Sequence, residues 1–164
     1  DFCLSRGLGD VYKRQLFIIG YDYDSIDSFR TILDFATRQK LLAVSFAPLN
    51  PLPGTPLYKR LNDEHKLLPG SWWLHPQFRF GQVWFHPRNM TREELDKGCY
   101  QARTEVFRYS NIFRRGLNFK ANCQNLVNAI FYLVVNLSYR REHYRRHGKP
   151  LGDGRPIDLR ESIR

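Results

Sequence analysis

Two short apolar runs, Leu16-Phe-Ile-Ile-Gly20 and Leu42-Ala-Val-Ser-Phe-Ala47, end in turn residues and lead into segments of helical spacing. Short apolar runs alternating with amphipathic helices predict βαβ units and a parallel sheet. Leu16–Gly20 reads as a buried strand with Gly20 at its exit. Asp24 or Ser25 is placed to cap a helix with Ile26, Phe29, Ile32, Leu33 and Ala36 on one stripe. Asp27, Arg30, Asp34 and Arg38 take the opposite face. The second strand is Leu42–Ala47, and a crossover of this length between parallel neighbours is expected to be right-handed. In such sheets chemistry sits at the carboxyl ends of the strands, which here are Gly20–Asp24 and Pro48–Thr55.

Further along, Pro51-Leu-Pro-Gly-Thr-Pro56 is a stiff turn in which Thr55 is suited to cap a helix and Pro56 to begin it. Leu57, Leu61 and Leu68 continue that helix or its exit, and Pro69-Gly70 end it. Residues 71–90 carry Trp72, Trp73 and the run Val83-Trp84-Phe85, and read as an aromatic-rich strap over the core. The clearest local signal follows. Thr91-Arg-Glu-Glu94 forms a capping box, and Met90 with Leu95 stands at the positions of a hydrophobic staple. That helix carries Leu95, Cys99, Ala102, Val106, Tyr109 and Phe113, with Gly116 as its stop. A second helix over 124–146 has the stripe Leu126, Ile130, Leu133 and Leu137, so the two form an antiparallel pair. From Gly148 the tail is rich in Gly, Pro and Arg and is expected to be loose.

Composition adds three constraints. At 164 residues with 15% aromatic content, the chain is long enough for one domain with a core. A mean hydropathy of -0.52 and the lack of a bilayer-length apolar run exclude a spanning helix, and no signal peptide is visible. The net charge of +10 is uneven, since eleven Lys/Arg face four Asp/Glu from Arg114 onward. Cys3, Cys99 and Cys123 match no metal-ligand spacing, and three scattered thiols suit a reducing, cytoplasmic compartment.

The chain begins with Asp rather than Met and is not expected to be a complete reading frame. Residues 1–15 show neither strand nor helix period, and Leu4–Gln15 resembles translated sequencing-adapter read-through. Ser5-Arg-Gly-Leu-Gly9 lacks the preceding strand and the spacing of a phosphate loop.

Several segments together carry a family likeness. Phe17-Ile-Ile-Gly20, an acidic helix start and Pro51-Leu-Pro-Gly-Thr-Pro-Leu-Tyr58 resemble the last part of a radical S-adenosylmethionine barrel. Trp72-Trp73, Phe85-x-Pro-Arg-Asn-Met90, Glu93-Glu-Leu-x-x-Gly98, Tyr139-Arg-Arg-Glu142 and Gly148-Lys-Pro-Leu-Gly152 resemble the C-terminal extension of the cobalamin-binding-domain members of that family. The resemblance implies an α/β fold: an open remnant of a (β/α) TIM-type barrel followed by a mostly helical extension. It divides the chain into non-native sequence (1–15), barrel end (16–70), connecting strap (71–90), helical extension (91–147) and loose basic tail (148–164). It implies a radical enzyme, performing methylation or rearrangement, that uses S-adenosylmethionine, a [4Fe–4S] cluster and cobalamin. Its partners would be a small-molecule or lipid-like substrate, with the missing barrel strands and cobalamin domain in cis. A family strand motif that packs on adenine is matched by Ile18 and Gly20, with Asp24 at the acidic position and Leu16 in place of a first Gly. Ala47, Pro48 and Leu49 would line the adenine or substrate pocket. The family's C-x-x-x-C-x-x-C cluster motif does not occur in this sequence, so the fragment alone is expected to be inactive.

Each of these residues also has a plain structural reading. Gly20 can simply end a buried strand, and Asp22 and Asp24 can serve a helix start rather than an acid/base pair. His143 and His147 have a metal-compatible spacing on a helix, yet Arg140, Arg141, Arg145 and Arg146 surround them and a solvated face is the preferred reading. The same basic, Tyr-interleaved stretch supports a rival to the enzyme, a basic α/β module contacting nucleic acid or an anionic membrane. Within the family reading nucleic acid is not expected, peripheral membrane contact stays open, and a helix packed on the barrel accounts for the stretch.

Overall fold

In the computed structural model, residues 14–68, 79, 81–118, 122–146 and 148–149 are described. β1 (Arg14–Ile19) and β2 (Ala43–Pro48) form a two-stranded parallel sheet connected by α1 (Ile26–Arg38). Phe17 stands opposite Phe46 and Ile18 opposite Ala47. Strand alternation sends Phe17, Ile19, Val44 and Phe46 into the main core. On the other face Leu16 and Ile18 remain 59% and 45% exposed, while Ala43 joins a second cluster with Leu42, Ile112 and Tyr132. The strand starts two residues before the apolar run, because Arg14 and Gln15 pair with Ala43 and Val44. Residues 1–13, Trp72, Trp73, His147 and the tail beyond Lys149 lie outside the described residues.

These elements correct the expectation of a TIM-type barrel remnant. Closure of a barrel couples strand number, tilt and stagger, and two strands in register define none of them. Among the described residues there is only this unclosed sheet with helices, and the helices supply much of the core. Leu95, Cys99, Ala102 and Val106 of α3 are buried in the same cluster as the sheet.

Local chemistry explains the helix starts. Ser25 is the N-cap of α1, its N–H donating to Ser28 Oγ at 3.1 Å. Phe29 and Ala36 are buried along the expected stripe, but Ile26 is 54% exposed. α2 (Pro56–Asp63) starts at Thr55, whose Oγ1 accepts from the Tyr58 N–H at 3.2 Å, with Pro56 in the first turn. α2 ends before Leu68, whose N–H donates instead to the Trp84 carbonyl at 3.1 Å. Leu67 and Phe85 form an antiparallel bridge there. Val83 and Phe85 are buried as part of the main core. α3 (Arg92–Val106) opens on the full capping box: Thr91 Oγ1 accepts from the Glu94 N–H at 3.1 Å and Glu94 Oε2 accepts from the Thr91 N–H at 2.7 Å.

The expected continuous helix to Gly116 is broken. Phe107 closes α3 and is itself buried, and α4 (Tyr109–Gly116) restarts after Arg108. The break turns the two segments apart, so Tyr109 and Phe113 are exposed instead of extending the α3 stripe. α5 (Leu126–Arg146) departs further. Leu126, Ile130, Leu133 and Leu137 all face outward, while Tyr132, Asn136 and His143 are buried.

Two outcomes follow. Gly98 lies where α3 crosses α1, and a Cβ there would stand 2.4 Å from the Phe29 ring. Gly98→Ala gains roughly 1 kcal/mol of helix propensity but forces apart a buried contact costing about 1–3 kcal/mol. A lower urea midpoint is therefore expected, and an unchanged midpoint would contradict the close crossing. The capping bonds from Thr91 hold the Glu94 pKa below the ordinary carboxylate value. The contribution is complete above the unfolded-state pKa and is lost as pH falls through the lower folded-state value. Urea titrations from pH 7 to pH 2 should therefore show a stability difference between wild type and Glu94→Gln that shrinks as the acid range is entered.

Candidate functional site

Arg115 determines where the wall of the site stands. Its side chain is fully buried and its guanidinium hydrogen-bonds three other chain segments. Nη1 donates to the Leu41 and Leu42 carbonyls at 3.0 and 3.5 Å, and Nη2 to the Val106 carbonyl and Asn136 Oδ1, both at 3.0 Å. Asn136 Nδ2 then donates to the Leu42 and Tyr132 carbonyls at 2.9 Å each. Burial pulls the Arg115 pKa down from its ordinary value, yet a guanidinium stays charged in proteins. The Tyr132 hydroxyl donates to the Ile112 carbonyl at 2.6 Å, and burial pushes its pKa up to about 12.

These bonds fix which face of α5 points inward. Tyr132, Asn136, Tyr139 and His143 recur at spacings of four and three, so they share one helical face. The first two lock the helix, and the last two reach a cavity of about 560 Å³ at the carboxyl end of β2. Phe46, Ala47, Pro48 and Asn50 supply one side of that cavity, and Gly81 and Gln82 another. Arg103 and Phe107 come from the end of α3, and Tyr139, Glu142, His143 and Arg146 from α5. Phe107 and Tyr139 stack with ring centroids 6.0 Å apart and planes 4° from parallel. A smaller cavity of about 160 Å³ adjoins, sharing Ser45 and Tyr139 with the larger one.

His143 is held by Thr104. The Thr104 hydroxyl donates to the Tyr100 carbonyl at 2.9 Å, and its oxygen lies 3.1 Å from His143 Nε2. With its one hydrogen committed, that hydroxyl accepts here, so Nε2 carries the proton. Burial first, then the Asp96 charge, push the Cys99 thiol up to about 12 against the opposing effect of Arg103.

The anticipated residues divide into two places. Ala47 and Pro48 line the cavity. Ile18 is Ala47's strand partner on the half-open face of the sheet. Gly20 adopts φ +122°, and the space its Cβ would enter is filled by Leu95, Phe85 and Leu49 at 2.9–3.3 Å. Asp24 Oδ2 accepts from the Gly20 and Tyr21 N–H groups at 2.8 and 2.9 Å, tying the turn after β1. Asp22 pairs with Arg60 at 2.6 Å. Arg103, Phe107, Tyr139 and His143 were not foreseen as neighbours. For Tyr139 and His143 the inward spacing Tyr132, Asn136, Tyr139, His143 is the available signal, masked by the leucine pattern on the opposite face.

The basic run is also differently used from a free cationic surface. Arg140 donates to the Phe107 carbonyl at 2.8 Å and lies over the rings of Tyr109 and Tyr144 at 4.3 and 5.1 Å. Arg145 pairs with Glu142 at 2.7 Å, and Arg146 pairs with the same carboxylate. No described helix is long and apolar enough to cross a membrane.

No family model matches the chain, and no solved structure matches it. It is similar to bacteriochlorophyllide d C-12(1)-methyltransferase of Chlorobaculum tepidum, 28% identical over 99 residues. The match covers 60% of this chain and 21% of that protein, so the chain spans about a fifth of its relative's length. These findings correct the radical S-adenosylmethionine assignment, because the likeness is to a protein named as a methyltransferase and no radical-enzyme family model matches. No group of three or more His, Cys, Asp or Glu side chains suited to a metal ion occurs among the described residues. The expected set of S-adenosylmethionine, [4Fe–4S] cluster and cobalamin therefore finds no support in these side chains. The parent enzyme, its barrel and cobalamin-domain partners, its lipid-like substrate and its membrane contact go with it.

Arg115→Ala tests the clamp. The Leu41 and Val106 carbonyls would each lose a donor, at about 1–3 kcal/mol apiece for a buried group. Urea denaturation should show a loss of roughly 3 kcal/mol or more, and a loss below about 1 kcal/mol would contradict the clamp.

Proposed function

We propose that this chain is the ligand-holding part of a methyltransferase, and that the cavity at the end of β2 receives a flat, ring-containing methyl acceptor. The observation that carries the reading is the 99-residue likeness to a protein named for methylating a bacteriochlorophyllide. The shape and chemistry of the cavity support it. A strand end of small or apolar residues, Ala47 and Pro48, faces a stacked pair, Phe107 and Tyr139. Such walls suit a planar apolar body, with a few polar groups to orient it. Ile18 would extend the same surface along the sheet, whereas Gly20 and Asp24 would hold the adjoining turn. The free thiols Cys99 and Cys123 agree with a cytoplasmic setting.

His143 gives the site a defined hydrogen-bonding character, since Thr104 fixes its Nε2 as a donor. Its ring also lies 5.0 Å from both Tyr100 and Tyr144, so the aromatic wall continues past Tyr139. In this reading α5 orients the acceptor and keeps water from its flat face.

Titrating the chain with pheophorbide, a metal-free chlorophyll-type ring, tests the proposal. A saturable absorbance shift at one equivalent is expected, and Ala47→Trp should abolish it while leaving the circular dichroism spectrum unchanged. No shift, or a shift indifferent to Ala47→Trp, would overturn the reading.

A further inference from the structure

α5 turns its locked face inward and an apolar one outward. Tyr132 and Asn136 reach the Ile112 carbonyl and Arg115, while Tyr139 and His143 meet Phe107 and Thr104. On the outward face Leu126, Ile130, Leu133 and Leu137 are 76%, 53%, 47% and 44% exposed, and Val127 and Val134 beside them are 74% and 56% exposed. From Leu126 to Tyr139 the helix carries no charged residue. A contiguous apolar stripe on a folded surface marks an interaction site. Its spacing points to the occupant. Steps of four, three and four are those of alternating d and a positions in a coiled-coil seam. They also read the same from either end, so a second copy running the opposite way presents the matching stripe, as a two-fold interface requires.

We infer that two copies of this chain associate through α5, antiparallel, about a two-fold axis between Ile130 and Leu133. Leu126 of one copy meets Leu137 of the other, and Ile130 of one meets Leu133 of the other. Val127 and Val134 widen the seam. Charge selects the direction. Arg140, Arg141, Arg145 and Arg146 stand with Glu142 in the last seven residues of the helix. A parallel pair would bring two basic ends together, whereas the antiparallel pair puts them at opposite ends. Opposed helix dipoles favour the same direction. The seam stops where the next steps of the stripe fall on Arg140 and Arg141. The inward face takes no part, so each copy keeps its cavity beyond β2, and the association is independent of what that cavity binds.

Sedimentation equilibrium of the full chain, with circular dichroism as the check on folding, tests the pairing. Wild type should follow a monomer–dimer equilibrium in the micromolar range. Leu133→Glu and Ile130→Lys, each at an outward position, should weaken the dimer at least about tenfold and keep the wild-type spectrum, because each puts a charge into the seam. Mixed together, the two variants should recover a one-to-one dimer, since the new carboxylate of one copy then faces the new ammonium of the other. Loss of both dimers without recovery on mixing would overturn the antiparallel register. A monomer at every concentration, including one that co-sediments with phosphatidylcholine vesicles, would overturn the pairing altogether. So would a dimer unmoved by either substitution, or assemblies of no fixed size. Should Leu133→Glu not fold, Ile130→Lys alone decides whether the seam lies on α5.

Discussion

A buried guanidinium with no carboxylate partner among the described residues is the constraint on which this structure turns. Arg115 meets the carbonyl groups of Leu41, Leu42 and Val106 and the side-chain oxygen of Asn136, all inside the protein. A charge so placed is tolerated because every strong contact is a hydrogen bond to an oriented dipole. The geometry that satisfies it also joins the entry to β2, the end of α3, α4 and α5. Removing the charge would leave several acceptors stranded, and keeping it demands that those segments meet at one point.

The first half of the fold was legible because its determinants are local. Thr55 and Thr91 cap α2 and α3 with their own side chains, and Phe29 and Ala36 face the core as their spacing indicates. Parallel pairing across α1 followed from two apolar runs of suitable length.

The helical half was less legible because its determinants are long-range. On α5 the leucine spacing is regular, yet the buried face is Tyr132, Asn136 and His143. Only the position of Arg115, distant in sequence, decides that Asn136 is worth burying. The break between α3 and α4 has a similar origin: Phe107 is drawn into the core and against Tyr139. Gly98 shows the opposite case, a small residue whose need appears only when Phe29 arrives from α1. The family-level likeness led furthest astray, since it implied a barrel, cofactors and partners that this sheet, these side chains and the methyltransferase relative do not support.

The inverted face of α5 has one more consequence. A helix held by leucines can slide by a turn and find new leucines, because apolar contact is nondirectional. A helix held through Asn136 and Tyr132 has a single address. One turn of slippage, about 5.4 Å, would take the amide away from both the guanidinium and the Leu42 carbonyl. The distance from that lock to Tyr139 and His143 is then a fixed length of helix, and the chamber beyond β2 inherits its depth from a ruler rather than from a spring.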